Sequence, residues 1–250
     1  MDTIIFGNGN LGRAIAAAMV ARGDATPHFV GRPADGRHAP DGLTGADLAF
    51  DASRPEAVVG NIGAALDAGC RCFVVATTGW DADRANVAAI LRERDASAVV
   101  APNFSLGVAV YLRLVETAAT SIARLAPVAP FDPFVVEWHR RGKVDRPSGT
   151  AREIVRRLAS TSDHADASDI EVAVVRAGSS PGMHLVGFDA AGETIELRHT
   201  ARDRSAFAAG ALAAADWLRA SDREPGIHAF SEVVDDLLET RDKPLAVATR

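Results

Sequence analysis

Between Glu137 and Thr150 the chain gathers a histidine, three arginines, a lysine and a Ser-Gly-Thr turn. His139 and Lys143 can each donate a proton, and an imidazole by nature titrates near neutrality. Ala151, Ile154, Val155 and Leu158 then recur at helical spacing, so a helix is expected over 151–160, with Ser148 or Thr150 as the N-cap oxygen. A helix N-terminus offers unpaired N–H groups and the positive end of a dipole. With Lys143 beside it, the Ser148-Gly149-Thr150 turn is a socket for a carboxylate or a phosphate. Lys143 and Lys243 are the two lysines among 27 basic residues. A chain that uses arginine almost everywhere has a lysine inside its densest polar cluster, and lysine, unlike arginine, can release a proton. The competing readings are a solvated basic loop before an ordinary helix, and a purely structural His139.

The elements that would position this chemistry begin at the N-terminus. Thr3–Phe6 is a short apolar run, followed by Gly7-Asn8-Gly9-Asn10-Leu11-Gly12 and an alanine-rich helix. Strand, G-x-G-x-x-G turn and helix make the arrangement of a dinucleotide fold. Gly7 permits the tight turn, Gly9 lets the backbone approach a pyrophosphate, and Gly12 lets helix and strand pack closely. After a second strand, His28–Val30, Arg32 stands where an NAD site usually has an acidic residue, and Arg37 follows. A guanidinium suits a 2′-phosphate, which favours NADPH, with NADH possible. Further strands at Leu48–Ser53, Cys72–Val75 and Ala98–Val100 end in small or polar residues, among them Ala76-Thr77-Thr78 and Ala101-Pro102-Asn103-Phe104. In an open parallel sheet ligands sit beyond the carboxyl ends of the strands, and five strand ends here share that chemistry.

After Asn103 the character changes. Leu106 to Leu125 reads as an apolar helix that should be buried, and Phe134–Glu137 as a strand entering the basic stretch. A polar linker, 161–168, precedes strands at Val172–Arg176, His184–Asp189 and Thr194–His199, which are expected to meander as an open antiparallel sheet. A sheet with one uncovered face is a candidate for subunit contact. Helices are expected at Phe207–Leu218 and Phe230–Leu238, and a patternless tail at 241–250. His184 and His199 read as sheet residues.

Composition narrows the function classes. The chain is 48% hydrophobic, with net charge −6 and pI near 5.6, an ordinary soluble composition that argues against nucleic acid as partner. No signal peptide is expected, nor an apolar run near the roughly 18 residues that span a bilayer. Cys70 and Cys72 are too few for zinc and too close for an unstrained disulfide, so reduced thiols in a cytoplasmic protein are expected. No His, Asp and Cys set has the spacing of a metal site.

The residues now carry a resemblance. Glu137-x-His139-Arg140-x-x-Lys143-x-Asp145-Arg146-Pro147-Ser148-Gly149-Thr150-Ala151 resembles the E-x-H-H-x-x-K-x-D-A-P-S-G-T-A signature of the dihydrodipicolinate reductases of bacterial lysine and diaminopimelate synthesis. Ala76-Thr77-Thr78-Gly79 is similar to that family's G-T-T-G turn, and Ala101–Ser105 to its A-x-N-F-S segment. Arg176-Ala177-Gly178, Gly182 and His184 match its R-A-G-x-x-x-G-x-H pattern. The resemblance covers essentially 1–240. It implies an α/β fold: a Rossmann-type dinucleotide-binding domain (1–104 with 205–240) and an α+β domain with an open mixed sheet (105–204) for substrate and tetramer formation. It implies hydride transfer from NAD(P)H to 4-hydroxy-tetrahydrodipicolinate, a cyclic imine with two carboxylates. His139 and Lys143 would be catalytic, and Arg140, Lys143, Ser148, Gly149 and Thr150 would bind substrate. Gly7, Asn8, Gly9, Asn10, Leu11, Gly12, Ala76, Thr77, Thr78, Ala101, Pro102, Asn103 and Phe104 would contact cofactor, with Arg32 added by the reading above. Three positions depart from the family: Arg140 replaces its second histidine, Arg146 its alanine before proline, and Ala76 a glycine. They leave open a paralogue acting on another cyclic imine acid. A non-catalytic module that senses NAD(P)H is the reading from a different class.

Overall fold

The computed structural model describes residues 2–31, 43, 45–161, 167–220 and 223–239. The chain divides into two compact units, Met1–Ser105 with Phe207–Arg250, and Leu106–Ala206. Arg32, Arg37 and the tail 241–250 lie outside the described residues.

The first unit runs β1 (Thr3–Phe6), α1 (Asn10–Arg22), β2 (His28–Val30), β3 (Leu48–Asp51), α2 (Val58–Asp67), β4 (Cys72–Val75), α3 (Arg84–Glu93) and β5 (Ser97–Val100). In the second unit follow α4 (Leu106–Leu125), β6 (Asp132–His139), α5 (Gly149–Thr161), β7 (Glu171–Arg176), β8 (Gly182–Ala190) and β9 (Glu193–Ala201). The chain then returns to the first unit through α6 (Ser205–Arg219), β10 (Gly226–Ala229) and α7 (Phe230–Glu239).

Among the described residues the first unit holds a six-stranded parallel sheet in the order β10-β5-β4-β3-β1-β2. Every residue of β1 and β3 is buried. Side chains on both sheet faces are covered, Ile4, Ala49 and Phe73 on one and Ile5, Phe50 and Val74 on the other. That is why these strands read as unbroken apolar runs. From β1 the chain goes to β2 on one side and to β3 on the other, so the topology reverses at the carboxyl end of β1, beside the glycine loop. β10 has no strand pattern in the sequence; it extends the sheet by pairing with β5.

In the second unit the order is β7-β6-β8-β9. The expected antiparallel meander is corrected here. β7 does not pair with β8; β6 lies between them, parallel to β7 and antiparallel to β8. The helix α5 supplies the crossover that a parallel pair requires, and the sheet is mixed. One face packs on α4 and α5 around Tyr111, Val115, Val135, Ile154, Leu158, Val186 and Phe188. The other exposes Trp138 and Val175, partners across β6 and β7. α4 also departs from expectation. By length and composition it could cross a bilayer, and it buries one stripe (Val108, Tyr111, Val115, Ala119) while Val110 and Leu114 are exposed. Tyr111 donates its hydroxyl to the Leu197 carbonyl at 3.2 Å, and Glu116 pairs with Arg157 of α5 at 2.8 Å, so that stripe is a core contact of this sheet.

Candidate active site

Strand register assembles the polar cluster of the second unit. Val135, Glu137 and His139 share one face of β6, and Val135 is in the core. Glu137 lies opposite His184 of β8, and His139 is level with Arg176 of β7. Four ionisable side chains are therefore brought to one patch, and Glu137, His139 and His184 are buried.

Glu137 is its centre. Its carboxylate accepts the Ser148 backbone N–H at 3.0 and 3.2 Å and the Arg176 guanidinium at 2.6 Å. Burial works to raise its pKa, but these donors outweigh burial and hold it below the usual carboxylate range. His184 Nε2 shares a 3.1 Å hydrogen bond with Ser148 Oγ and stands 3.7 Å from Glu137 Oε2. Burial, reinforced by His139, pushes His184 down to about 4. The His139 and His184 rings meet edge to face, centroids 5.1 Å apart. His139 is also lowered, chiefly by burial, with Glu137 opposing. Gly182 packs beneath this ring: a Cβ there would stand 3.1 Å from His139 Nε2.

Past β6 the backbone turns, with Lys143 N–H donating to the Arg140 carbonyl at 3.1 Å. Lys143 is half-buried, and its ammonium pairs with Asp145 at 2.8 Å. Burial opposes ionisation of Asp145, but Lys143 and the Gly149 amide hold its carboxyl below the usual range. Ser148 is the N-cap of α5, its hydroxyl accepting the Ala151 N–H at 3.1 Å. Gly149 is exposed and Thr150 half-buried at the same terminus. The structure thus brings His139 and Ser148 into one cluster and puts Lys143 on the turn leading to the α5 terminus. Arg140 is different. Its side chain is exposed, with the guanidinium beside Gly142, and among the described residues no side-chain hydrogen bond or ion pair joins it to the cluster. Arg146 donates to the Val174 carbonyl at 3.2 Å instead of pointing inward.

Glu137, Arg176 and His184 are the residues that the sequence reading did not select as site residues. Glu137 left one signal, a charged side chain in phase with apolar Val135 on a strand. Glu137, His139 and His184 have donor atoms within 4.8 Å of one another. They do not fit a metal, because the Arg176 cation already occupies the shared carboxylate.

The first unit presents backbone where the second presents side chains. Gly7 has φ +99°, and a Cβ there would stand 2.4 Å from the Ala52 carbonyl oxygen. A Cβ on Gly12 would be 2.1 Å from the Gly7 oxygen, whereas one on Gly9 would meet nothing within 4 Å. Gly9 begins α1 with no side-chain cap, and the first turn, which includes Asn10 and Leu11, carries no acidic residue. Asn8 Oδ1 accepts the Arg13 guanidinium at 2.9 Å. At the next strand ends, Asp51 is buried and accepts the Thr77 hydroxyl at 2.5 Å, the Ser53 hydroxyl at 2.7 Å and the Asn61 amide at 2.7 Å. Ala76 and Thr77 donate their N–H groups to the Asp51 carbonyl, which fixes the turn leading to Thr78. Asn103 takes the Ser105 N–H at 2.9 Å, after Ala101 and Pro102, and Phe104 meets Phe230 at a tilt, ring centroids 4.9 Å apart. An uncapped helix N-terminus facing open space, at the carboxyl edge of a parallel sheet, fits the pyrophosphate of a dinucleotide.

Comparison with known proteins agrees with both halves. The family model for the N-terminus of dihydrodipicolinate reductase matches residues 1–104, and the model for its C-terminus matches 107–234. The chain belongs to the dihydrodipicolinate reductase family. A 4-hydroxy-tetrahydrodipicolinate reductase of Wolinella succinogenes is 34% identical over 210 residues, covering 77% of this chain and 78% of the relative. One of Archaeoglobus fulgidus is 37% identical over 210 residues, covering 78% of this chain and 76% of the relative. Among solved structures, a dipicolinate-bound dihydrodipicolinate reductase from Paenisporosarcina sp. TG-14 superimposes with TM-score 0.71 over 92% of this chain and 97% of that one. At 18% identity that likeness speaks for the fold.

Proposed function

We propose that this reductase converts 4-hydroxy-tetrahydrodipicolinate to tetrahydrodipicolinate, the step its relatives' names describe, within lysine and diaminopimelate synthesis. The observation that carries this reading is the join of His139 and Lys143 to a capped helix N-terminus in the unit matched by the family's C-terminal model. A nicotinamide dinucleotide, when bound, supplies the hydride. The Gly7–Gly12 loop would hold its pyrophosphate, and the Ala76–Thr78 and Ala101–Phe104 turns the rest of its length. The reading prefers NADPH, on the strength of Arg32 after β2 in place of an acidic residue.

The substrate carries two carboxylates. The α5 N-terminus at Ser148, Gly149 and Thr150, with Lys143, suits one, and the exposed Arg140 guanidinium adds a weak, solvent-screened attraction for the other. Loss of the 4-hydroxyl as water leaves a conjugated imine, and hydride addition to it builds negative charge that a proton must quench, giving tetrahydrodipicolinate. Lys143 is the better donor, because burial favours the neutral form of His139. His139 then acts through hydrogen bonding at the reacting ring. The open face of the second sheet, with Trp138 and Val175 exposed, is the surface proposed for tetramer formation.

The test is oxidation of NADPH and of NADH by purified protein with freshly generated 4-hydroxy-tetrahydrodipicolinate. Turnover with NADPH, faster than with NADH, is expected. Cofactor binding without turnover would exclude this substrate and favour a paralogue acting on another cyclic imine acid.

A further inference from the structure

Two buried polar atoms of the cluster are left without a hydrogen bond, Arg176 Nε and His139 Nδ1. His139 Nδ1 is buried and has no partner in hydrogen-bonding geometry. Its ion-pair neighbour is Glu137 Oε2 at 3.4 Å. A buried imidazole nitrogen presenting its lone pair to an ionised carboxylate would be repelled, whereas an N–H there would be attracted. Glu137 is held ionised by Arg176 and the Ser148 amide, and its side chain is fully buried, so its charge acts in a medium that screens it poorly. Hydrogen bonds of catalytic groups are often long in the ligand-free state and tighten on binding.

We propose that Glu137 is a positioning residue of the reduction, holding the His139 ring in the tautomer protonated at Nδ1 so that Nε2 is left to exchange protons or hydrogen-bond with the substrate. This rests on the functional reading above. The same carboxylate accepts the Ser148 N–H at the start of α5, so one buried group fixes both the imidazole and the turn proposed to bind carboxylate. The alternative tautomer would put Nε2–H toward Gly182, where no acceptor side chain exists, and would set the Nδ1 lone pair against Glu137. Other charges face the ring as well: Lys143 and Asp145 from the following turn, Arg176 from β7 and His184 from β8. Lys143 and Arg176 oppose an imidazolium; Glu137 is the larger of the two carboxylate contributions that favour it.

The experiment is two-bond nitrogen–proton correlation spectroscopy on protein labelled with 15N-histidine, together with kcat and pH profiles, for wild type, Glu137→Gln and Glu137→Asp. The His139 signals are assigned by their loss in His139→Asn. Wild type is expected to show a protonated Nδ1 and an unprotonated Nε2 on His139 at neutral pH. Glu137→Gln is expected to show a mixture of tautomers, with kcat lower by about 10²-fold and the limb assigned to His139 moved to lower pH. Glu137→Asp should restore the single tautomer. An Nε2–H tautomer in wild type, the same tautomer in Glu137→Gln, or a changed tautomer with unchanged kcat would each overturn the proposal. The wild-type spectrum decides by itself should Glu137→Gln fail to fold. It needs no turnover, so a failure of the substrate assignment is seen separately, in the wild-type assay.

Discussion

The loop between β1 and α1 and the turn between β6 and α5 both end in a helix N-terminus, but they furnish it differently. At α1 the cap is Gly9, no side chain bonds the first turn, and a Cβ on Gly9 would meet open space. At α5 the terminus is crowded with internal acceptors: Ser148 Oγ caps Ala151, Glu137 takes the Ser148 amide, and Asp145 takes the Gly149 amide. The first is a rigid socket of backbone, suited to a phosphate group that is charged at all working pH values. The second is joined to titrating side chains, so its affinity for an anion and its capacity for proton transfer change together. On the proposed function, binding that should not vary falls to glycine geometry, and chemistry to side chains.

The largest expected effect separates the two regions outright. Lys143→Ala should lower turnover by about 10³-fold or more while leaving cofactor affinity unchanged, as measured by steady-state rates and by quenching of protein fluorescence. Equal losses of both would mean that the division between backbone socket and side-chain chemistry is wrong. Next comes acid sensitivity, which should belong to the second unit. The unfolded chain protonates His184 near the ordinary imidazole value of 6.5, but the folded chain does so at about 4. Stability is therefore full above the ordinary value and lost as pH falls towards 4, by up to about 3 kcal/mol. Glu137, lowered when folded, loses its contribution in the same direction at still lower pH. Denaturant midpoints measured across this range should fall in wild type and fall less in His184→Gln. A parallel slope in the two proteins would remove His184 from the account.

A smaller effect probes the first unit. Asp51→Ala strips the acceptor from Thr77, Ser53 and Asn61, and should cost about 2 kcal/mol of stability. It should also weaken cofactor binding, with binding of a pyridine dicarboxylate to the other unit retained in calorimetry. The smallest concerns the departure from the family. Arg140→His should change the substrate KM by about threefold or less, since an exposed guanidinium outside the cluster contributes little. A change of two orders of magnitude would make Arg140 a determinant of which imine acid is bound.

Much of this was legible in the sequence because it is local. The glycine loop, the buried strands and the Ser148 cap are set by neighbours a few residues apart. The residues not found are those whose partners are distant. Nothing in the chain order says that Glu137 faces His184 across β6 and β8, or that Arg176 reaches the same carboxylate from β7. The short connection from Ala177 to Pro181 reads as a hairpin, yet Ala177 donates its N–H to His139 O and stays with β6. β10 is four residues with one large apolar side chain, too short for any period to show.

The register of β6 has a further consequence. Glu137 and His139 reach their partners because they sit an even number of places from the core residue Val135. One residue inserted between Val135 and Glu137 would send both side chains to the opposite face of the sheet, with every amino acid of the cluster still present. The strand itself is protected by parity.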